Sequence, residues 1–205
     1  MKYMKTDGKD YKNILRVHYD IYPKVLERIN IGQNEKILDA GCGEGNLGKE
    51  LLKKGYSNIF GFDYSLDGVE KAKKYYKECV MADIYSLPYE DNQFDTVICI
   101  EVFEYLDNPE KAFRELLRVA KKQIIIASAN YTWFKIRAIV NNNYKINIRK
   151  RKTQTTHVFL KKLGRKHNLK CRFKTVSFRY DKIRRFFGVL CSSDIIAIYK
   201  LETFS

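Results

Sequence analysis

The sequence predicts a doubly wound α/β domain, a mostly parallel, seven-stranded sheet covered by helices, with an antiparallel strand at one edge. Three observations predict it. Short apolar runs alternate with helical patterns from residue 36 to residue 129. Those runs are apolar at successive positions, as strands buried on both faces must be. The last two strand-like runs have no long helical pattern between them, so they form an antiparallel hairpin. A chain of 205 residues suits one domain, residues 1–205, with enough length to bury a core.

Each element follows from local pattern. Residues 9–30 carry apolar side chains at helical spacing, with Pro23 dividing or kinking the helix. Residues 36–40 form the first strand and 46–54 a helix. Residues 58–62 form the second strand, 65–76 a helix, and 79–82 the third strand. Thr96-Val97-Ile98-Cys99-Ile100 is the most continuous buried-strand run. The helix 109–119 opens well, because Asn108 can cap it and Pro109 suits its first position. Residues 123–127 are the fifth strand. Residues 131–152 break the rhythm with aromatics, three asparagines and a basic run, and read as an insertion. A helix over 157–167 and strands over 171–178 and 195–201 complete the sheet within a basic C-terminal part, 153–205.

Composition excludes several classes. Fifteen Tyr, twelve Phe and a hydrophobic fraction of 45% are too many for a disordered chain. Apolar runs such as Ile124-Ile125-Ile126 fall far short of the ~20 residues of a membrane span. Met1-Lys2-Tyr3-Met4-Lys5 leads into no apolar stretch, which argues against a secretory signal. Cys42, Cys79, Cys99, Cys171 and Cys191 are odd in number and unpaired in spacing, which points to a reducing, cytoplasmic setting. The net charge of +15 is concentrated: residues 131–205 hold 19 of the 39 Lys and Arg but only Asp181, Asp194 and Glu202 among the acids. That asymmetry suits RNA, an anionic membrane surface or a phosphorylated substrate, or else a lysine-coated solvated face.

The chemistry-bearing motif is Leu38-Asp39-Ala40-Gly41-Cys42-Gly43-Glu44-Gly45-Asn46, at the junction of the first strand and its helix. Glycines there let the backbone turn sharply and leave space for a ligand against it. Their G-x-G-x-G spacing differs from the G-x-G-x-x-G of dinucleotide-binding loops, which disfavours a nicotinamide-dependent dehydrogenase. Asp39, Asp63 and Asp83 close three successive strands, on the edge where such sheets bind ligands. A carboxylate at Asp63 can accept from both hydroxyls of a ribose. His18, His157 and His167 have no metal-ligand spacing with each other or with the cysteines, so no metal is expected.

From Lys36 to Ala129 the chain resembles the class I S-adenosylmethionine-dependent methyltransferases of the methyltransferase 11 type, and so their Rossmann-like fold. The glycine motif, Phe62-Asp63, Ala82-Asp83, Leu87-Pro88-Tyr89, Phe94-Asp95, Glu101-Val102-Phe103-Glu104-Tyr105 and Leu117-Arg118-Val119 carry that resemblance. It implies that the backbone from Gly41 through Cys42 and Gly43 to Gly45 holds the methionine part of the cofactor, S-adenosylmethionine, with Asp39 steering its amino group. Asp63 would bind the ribose, and Tyr64 would pack on the adenine. Asp83 and the Ile84 N–H would meet the adenine edge, while Ile100 and Glu101 would face the sulfonium. S-adenosylhomocysteine would be the product.

Methyl transfer is an in-line displacement, so positioning and exclusion of water can supply most of the rate. Many relatives carry a Glu-His pair after the fourth strand, and Glu104-Tyr105 stands there instead. No catalytic residue is therefore assigned beyond Glu104 and Tyr105 as weak candidates. In the family, the N-terminal helix and the segment after the fifth strand cover the acceptor. That assigns residues 9–30 and the aromatic stretch around Trp133 to an acceptor cover. A small or lipid-like acceptor is the leading expectation. RNA or an anionic membrane surface meeting residues 131–205, or a catalytically silent binding module, are the alternatives.

Overall fold

The most continuous buried-strand run, Thr96–Ile100, lies in the central strand of the sheet, Phe94–Ile100. The computed structural model describes residues 21–130, 153, 155–176 and 194–201. The expected helical stretch 9–20 and the insertion 131–152 lie outside the described residues, as do residues 177–178 of the expected sixth strand. Strands β1 (Ile37–Ala40), β2 (Ile59–Asp63), β3 (Glu78–Met81), β4 (Phe94–Ile100), β5 (Ala120–Ala129), β6 (Lys170–Val176) and β7 (Asp194–Lys200) stand in the order β3-β2-β1-β4-β5-β7-β6. β1 to β5 are mutually parallel, and β7 pairs antiparallel with both β5 and β6. The expected hairpin is present, with β6 outermost and β7 inserted beside β5.

Alternation along the strands splits the core in two. Val97 and Cys99 face one layer together with Leu38, Phe62, Ile124 and Ile126, and meet Phe113 and Leu116 of helix α4 (Pro109–Val119) and Leu160 of helix α5 (His157–Lys166). Ile98 and Ile100 face the other layer with Ile37, Ile59 and Ile125. Three helices cover that side: α1 (Ile21–Leu26), α2 (Asn46–Lys53) and α3 (Leu66–Ala72). Each fully buried Ile, Leu or Phe side chain contributes roughly 1.5–3 kcal/mol, which is why successive apolar positions commit these strands to the interior.

Boundaries moved where tertiary contacts intervene. The third helix keeps its α form only to Ala72 and continues as a 3-10 turn over Lys73–Tyr75. β5 begins at Ala120, three residues before the apolar run, because Ala120 pairs with Phe94 across a register shift. Pro23 lies inside α1, which runs through it, and Glu27 N–H donates to Pro23 O at 3.0 Å. Asn108 caps α4 as its sequence predicts, its side chain accepting from Lys111 N–H at 3.0 Å. Arg118, at the far end of α4, donates to Leu87 O, Tyr89 O and Asp91 and pairs with Glu115, so one guanidinium fixes the loop between β3 and β4.

Candidate functional site

Strand order reverses between β1 and β4, since the chain moves outward from β1 to β3 and then returns beside β1. Ligands of open α/β sheets bind outside the carboxyl ends of the strands at such a point. The glycine loop lies there. Gly41, Gly43 and Gly45 have φ of 80°, 51° and 86°, in the left-handed region. A Cβ on Gly41 would stand 2.5 Å from Val102 Cγ2, and one on Gly45 2.7 Å from the Tyr75 ring. Any side chain at Gly41 or Gly45 would therefore both strain the backbone and collide.

Asp63 holds this loop in shape. Its Oδ2 accepts from Gly43 N–H and its Oδ1 from Ser65 N–H, each at 2.8 Å. Each carboxylate oxygen keeps a further lone pair for a ligand. The same loop is tied to β2 by Gly41 and Cys42, whose N–H groups both donate to Phe62 O at 2.9 Å. Tyr64 follows at 47% exposure, and Leu66 and Met81 are exposed as well.

Asp39 is 3% exposed and accepts from the Tyr76 hydroxyl at 2.6 Å. Burial pushes its carboxyl up to about 7; the Tyr76 hydrogen bond opposes the rise and the neighbouring Asp63 charge adds to it. The Tyr76 hydroxyl also accepts from Gly48 N–H at 3.1 Å, one of the donors that the first turn of α2 leaves unpaired. Gly48 and Gly61 make room for that ring: a Cβ would lie 2.5 Å from Tyr76 Cζ at Gly48 and 3.2 Å from the ring at Gly61. Tyr76 was not singled out from sequence. The signal that could have found it is the pair of glycines away from turns, one inside a helix and one inside a strand, which marks a bulky group packed against both.

Asp83 stands two residues beyond β3, and its Oδ1 accepts from Tyr85 N–H at 3.0 Å. Ile84 turns its side chain into the core at 8% exposure. Ile100 ends β4 at 5% exposure, and Glu101 takes a φ of 58°, a strained backbone for a residue with a side chain. Glu101 N–H donates to Ala127 O at 2.8 Å, which anchors that strained turn to β5.

The two weak catalytic candidates lie on the 3-10 turn Phe103–Tyr105. Glu104 is fully buried; its Oε2 accepts from Ser128 Oγ at 2.8 Å, and Ser128 contacts Thr155 Oγ1 at 2.8 Å. Its backbone oxygen accepts from Thr153 N–H. Glu104 therefore joins the end of β5 to the segment before α5. Tyr105 is half-buried on the same turn. Among the described residues no group of three His, Cys, Asp or Glu is placed to hold a metal.

Residues 38–127 match the methyltransferase domain family. Over 134 residues the chain is 27% identical to 24-methylenesterol C-methyltransferase 2 of Arabidopsis thaliana, covering 62% of this chain and 36% of that protein. Over 128 residues it is 32% identical to a malonyl-[acyl-carrier protein] O-methyltransferase of Legionella pneumophila, covering 58% of this chain and 44% of that protein. The chain thus spans less than half the length of both relatives. A SAM-dependent methyltransferase of Thermotoga maritima shares the fold, with a TM-score of 0.74 at 17% identity over 95% of this chain and 96% of that one. Strand order, the glycine loop and its acidic anchors agree with that match, and residues 38–127 are a methyltransferase domain of the class I S-adenosylmethionine-dependent type.

Proposed function

We propose that the chain is a methyltransferase that takes its methyl group from S-adenosylmethionine and delivers it to a small or lipid-like acceptor. The observation that carries the proposal is the loop from Gly41 to Gly45 at the carboxyl end of β1, whose three glycines take left-handed backbone packed too closely for side chains and whose Gly43 N–H is held by Asp63. The residues fit this cofactor. The loop N–H groups and Asp39 would hold its methionine end, with Asp63 at the ribose. Tyr64, Asp83 and Ile84 would bound the adenine, and Ile100 and Glu101 would lie nearest the reacting centre.

The cofactor supplies a methyl group already activated on a positively charged sulfur. The chain need only bind, orient and exclude water, which suits a site with few reactive side chains. Glu104 reads as a positioning residue at the base of the acceptor side, since its carboxyl is engaged with Ser128. The printed acceptors of the two relatives, a sterol and a malonyl carrier, support a lipid-like acceptor here. The reading keeps residues 1–205 as one domain and the protein in the cytoplasm; among the described residues no helix is long and apolar enough to cross a membrane.

A second reading, an RNA acceptor, is favoured by one feature. Lys161, Lys162 and Arg165 on α5, and Lys170, Arg172 and Lys174 on β6, are exposed. A charged outer strand also prevents edge-to-edge pairing, which accounts for the β6 charges without invoking RNA. One experiment separates the readings: transfer of labelled methyl into cell extract split into RNA, protein and organic-soluble fractions, with Asp63→Ala as control. Label in the organic-soluble fraction is the expected result. Label in RNA would move the acceptor site to the basic face. No label despite cofactor binding would make the chain a silent module.

A further inference from the structure

We propose that Cys42 and Cys79 form a reversible thiol-oxidation site that ties the glycine loop to β3. Their sulfurs lie 3.6 Å apart although the residues are 37 positions apart in sequence. Cys42 sits inside the cradle, between Gly41 and Gly43, and Cys79 lies in β3, two strands away from β1. What lets them meet is Gly61 of the intervening strand. Gly61 is the register partner of Cys79, and a Cβ on it would stand 3.3 Å from Cys42 Sγ. The sulfurs therefore touch over a strand position that carries no side chain.

The electrostatics favour one thiolate in the pair. The hydrogen bond with Cys42 holds the Cys79 thiol below its usual range, against the cost of burial and the Asp39 and Asp63 charges, with the Lys73 charge helping. The same contact, burial and the Asp39 and Asp63 charges push the Cys42 thiol up. The oxidant is a peroxide, a small molecule that suits two residues only 6% and 7% exposed. The Cys79 thiolate attacks one peroxide oxygen, the O–O bond breaks, and the departing oxygen leaves as water, giving a sulfenic acid. The Cys42 sulfur then attacks that sulfur, the S–O bond breaks, and a second water leaves. Two thiols lose two electrons and two protons, and the peroxide takes up both to end as water.

A disulfide needs its sulfurs ~2.05 Å apart, so they must approach by about 1.5 Å. Cys79 is held in a paired strand and Cys42 by its N–H on Phe62 O, so closing the gap turns both side chains and draws the Cys42 loop toward β3. A third of that movement in the loop is already the whole range of hydrogen-bond distances, about 0.5 Å. Oxidation thus misplaces the loop N–H groups, a consequence that rests on the cofactor-binding reading above.

The test uses the full chain, reduced and then treated with graded hydrogen peroxide. Digestion without reductant and mass mapping are expected to find the Cys42 peptide joined to the Cys79 peptide, and dithiothreitol to release them. Titration calorimetry is expected to find S-adenosylhomocysteine bound at least about tenfold more weakly after oxidation, with affinity restored by dithiothreitol. Cys79→Ser is expected to bind as the reduced protein does and to ignore peroxide. Unmodified thiols, separate sulfinic acids on Cys42 and Cys79, or a crosslink that leaves affinity unchanged would overturn the proposal. A crosslink in a chain whose reduced form binds no S-adenosylhomocysteine would leave the thiol site standing and overturn the cofactor-binding reading instead.

Discussion

The two ends of one sheet are built to different rules. From β1 to β3 the chain spends glycines and carboxylates at strand ends: Gly41, Gly43 and Gly45 with positive φ, Asp63 bonded to the loop, and Asp39 joined through Tyr76 to the first turn of α2. At the other end, β6, β7 and α5 are ordinary apolar packing under a basic surface, with Tyr199 wedged between α5 and the sheet and its hydroxyl on Leu160 O. Backbone conformation and fixed N–H directions limit the first region to a few residue types. The second needs only apolar side chains at alternate positions, and many sequences would serve. The contrast teaches that motif-dense sequence marks where the backbone meets a ligand, and motif-poor sequence where the sheet merely has to be completed.

The sharpest way to break that comparison is Gly41→Ala. It adds a Cβ 2.5 Å from Val102 in a backbone with φ of 80°. Strain of ~1–3 kcal/mol adds to the clash, so cofactor affinity measured by calorimetry is expected to fall at least about hundredfold. Val102→Ala in the same chain relieves the clash and leaves the strain, and is expected to recover only part of the loss.

Asp63→Ala comes next. It removes the acceptor of Gly43 and Ser65 N–H as well as the expected ribose contact. Charge-assisted hydrogen bonds of ~1.5–3 kcal/mol each imply a tenfold to hundredfold weaker cofactor complex. Unchanged affinity would contradict the assignment of Asp63.

The pH dependence of Asp39 separates binding from stability. Its folded pKa, about 7, lies above its usual value, so between about pH 4 and 7 the folded chain holds a proton that the unfolded chain has released. Stability is then expected to fall by up to about 1.4 kcal/mol per pH unit across that window and to level off above it. Cofactor affinity is expected to do the reverse, rising through pH 7 as the carboxylate forms. Asp39→Asn flattens both curves; denaturant melts and calorimetry over the same buffers check it.

Gly164→Ala tests the other end of the sheet. Its Cβ would meet the Tyr199 ring at 2.7 Å. Overpacking is expected to cost about 1–3 kcal/mol in a thermal melt and to leave cofactor affinity unchanged. An equal loss of affinity would mean the two ends are coupled. Smallest of all are the helix caps. Ser65 Oγ accepts from Gly68 N–H before α3, and Thr156 Oγ1 from Phe159 N–H before α5. Either residue changed to Ala should cost about 1 kcal/mol of stability, and only Ser65→Ala, beside Asp63, should also weaken cofactor binding by a few-fold.

Most of the fold could be read from local pattern. The order of strands and helices, Asp63 at the end of β2 and the capped start of α4 at Asn108 and Pro109 were all predictable from short segments, whereas Asp39 lies one residue inside the end of β1 and Asp83 two residues past β3. β5 was read as starting at Gln123, because Ala120, Lys121 and Lys122 are not an apolar run; pairing with β4 makes them strand. Arg118 was visible only as part of a motif, and its three side-chain contacts with a loop some thirty residues earlier in the chain, at Leu87, Tyr89 and Asp91, exist only after folding.

The sequence alone determined that the backbone turns sharply at Gly41, Gly43 and Gly45 and which strands must be buried on both faces, since both depend on residue type at one position and its near neighbours, whereas the left-handed turn at Glu101 appears only in the fold. Tertiary structure decided what those positions meet. It brought Tyr76 over Gly61 to lock Asp39 and cap α2, buried Glu104 against Ser128, set β7 between β5 and β6, and brought Cys42 within reach of Cys79. Each of these joins residues far apart in the chain, and a contact over such a separation depends on the packing of every element between them.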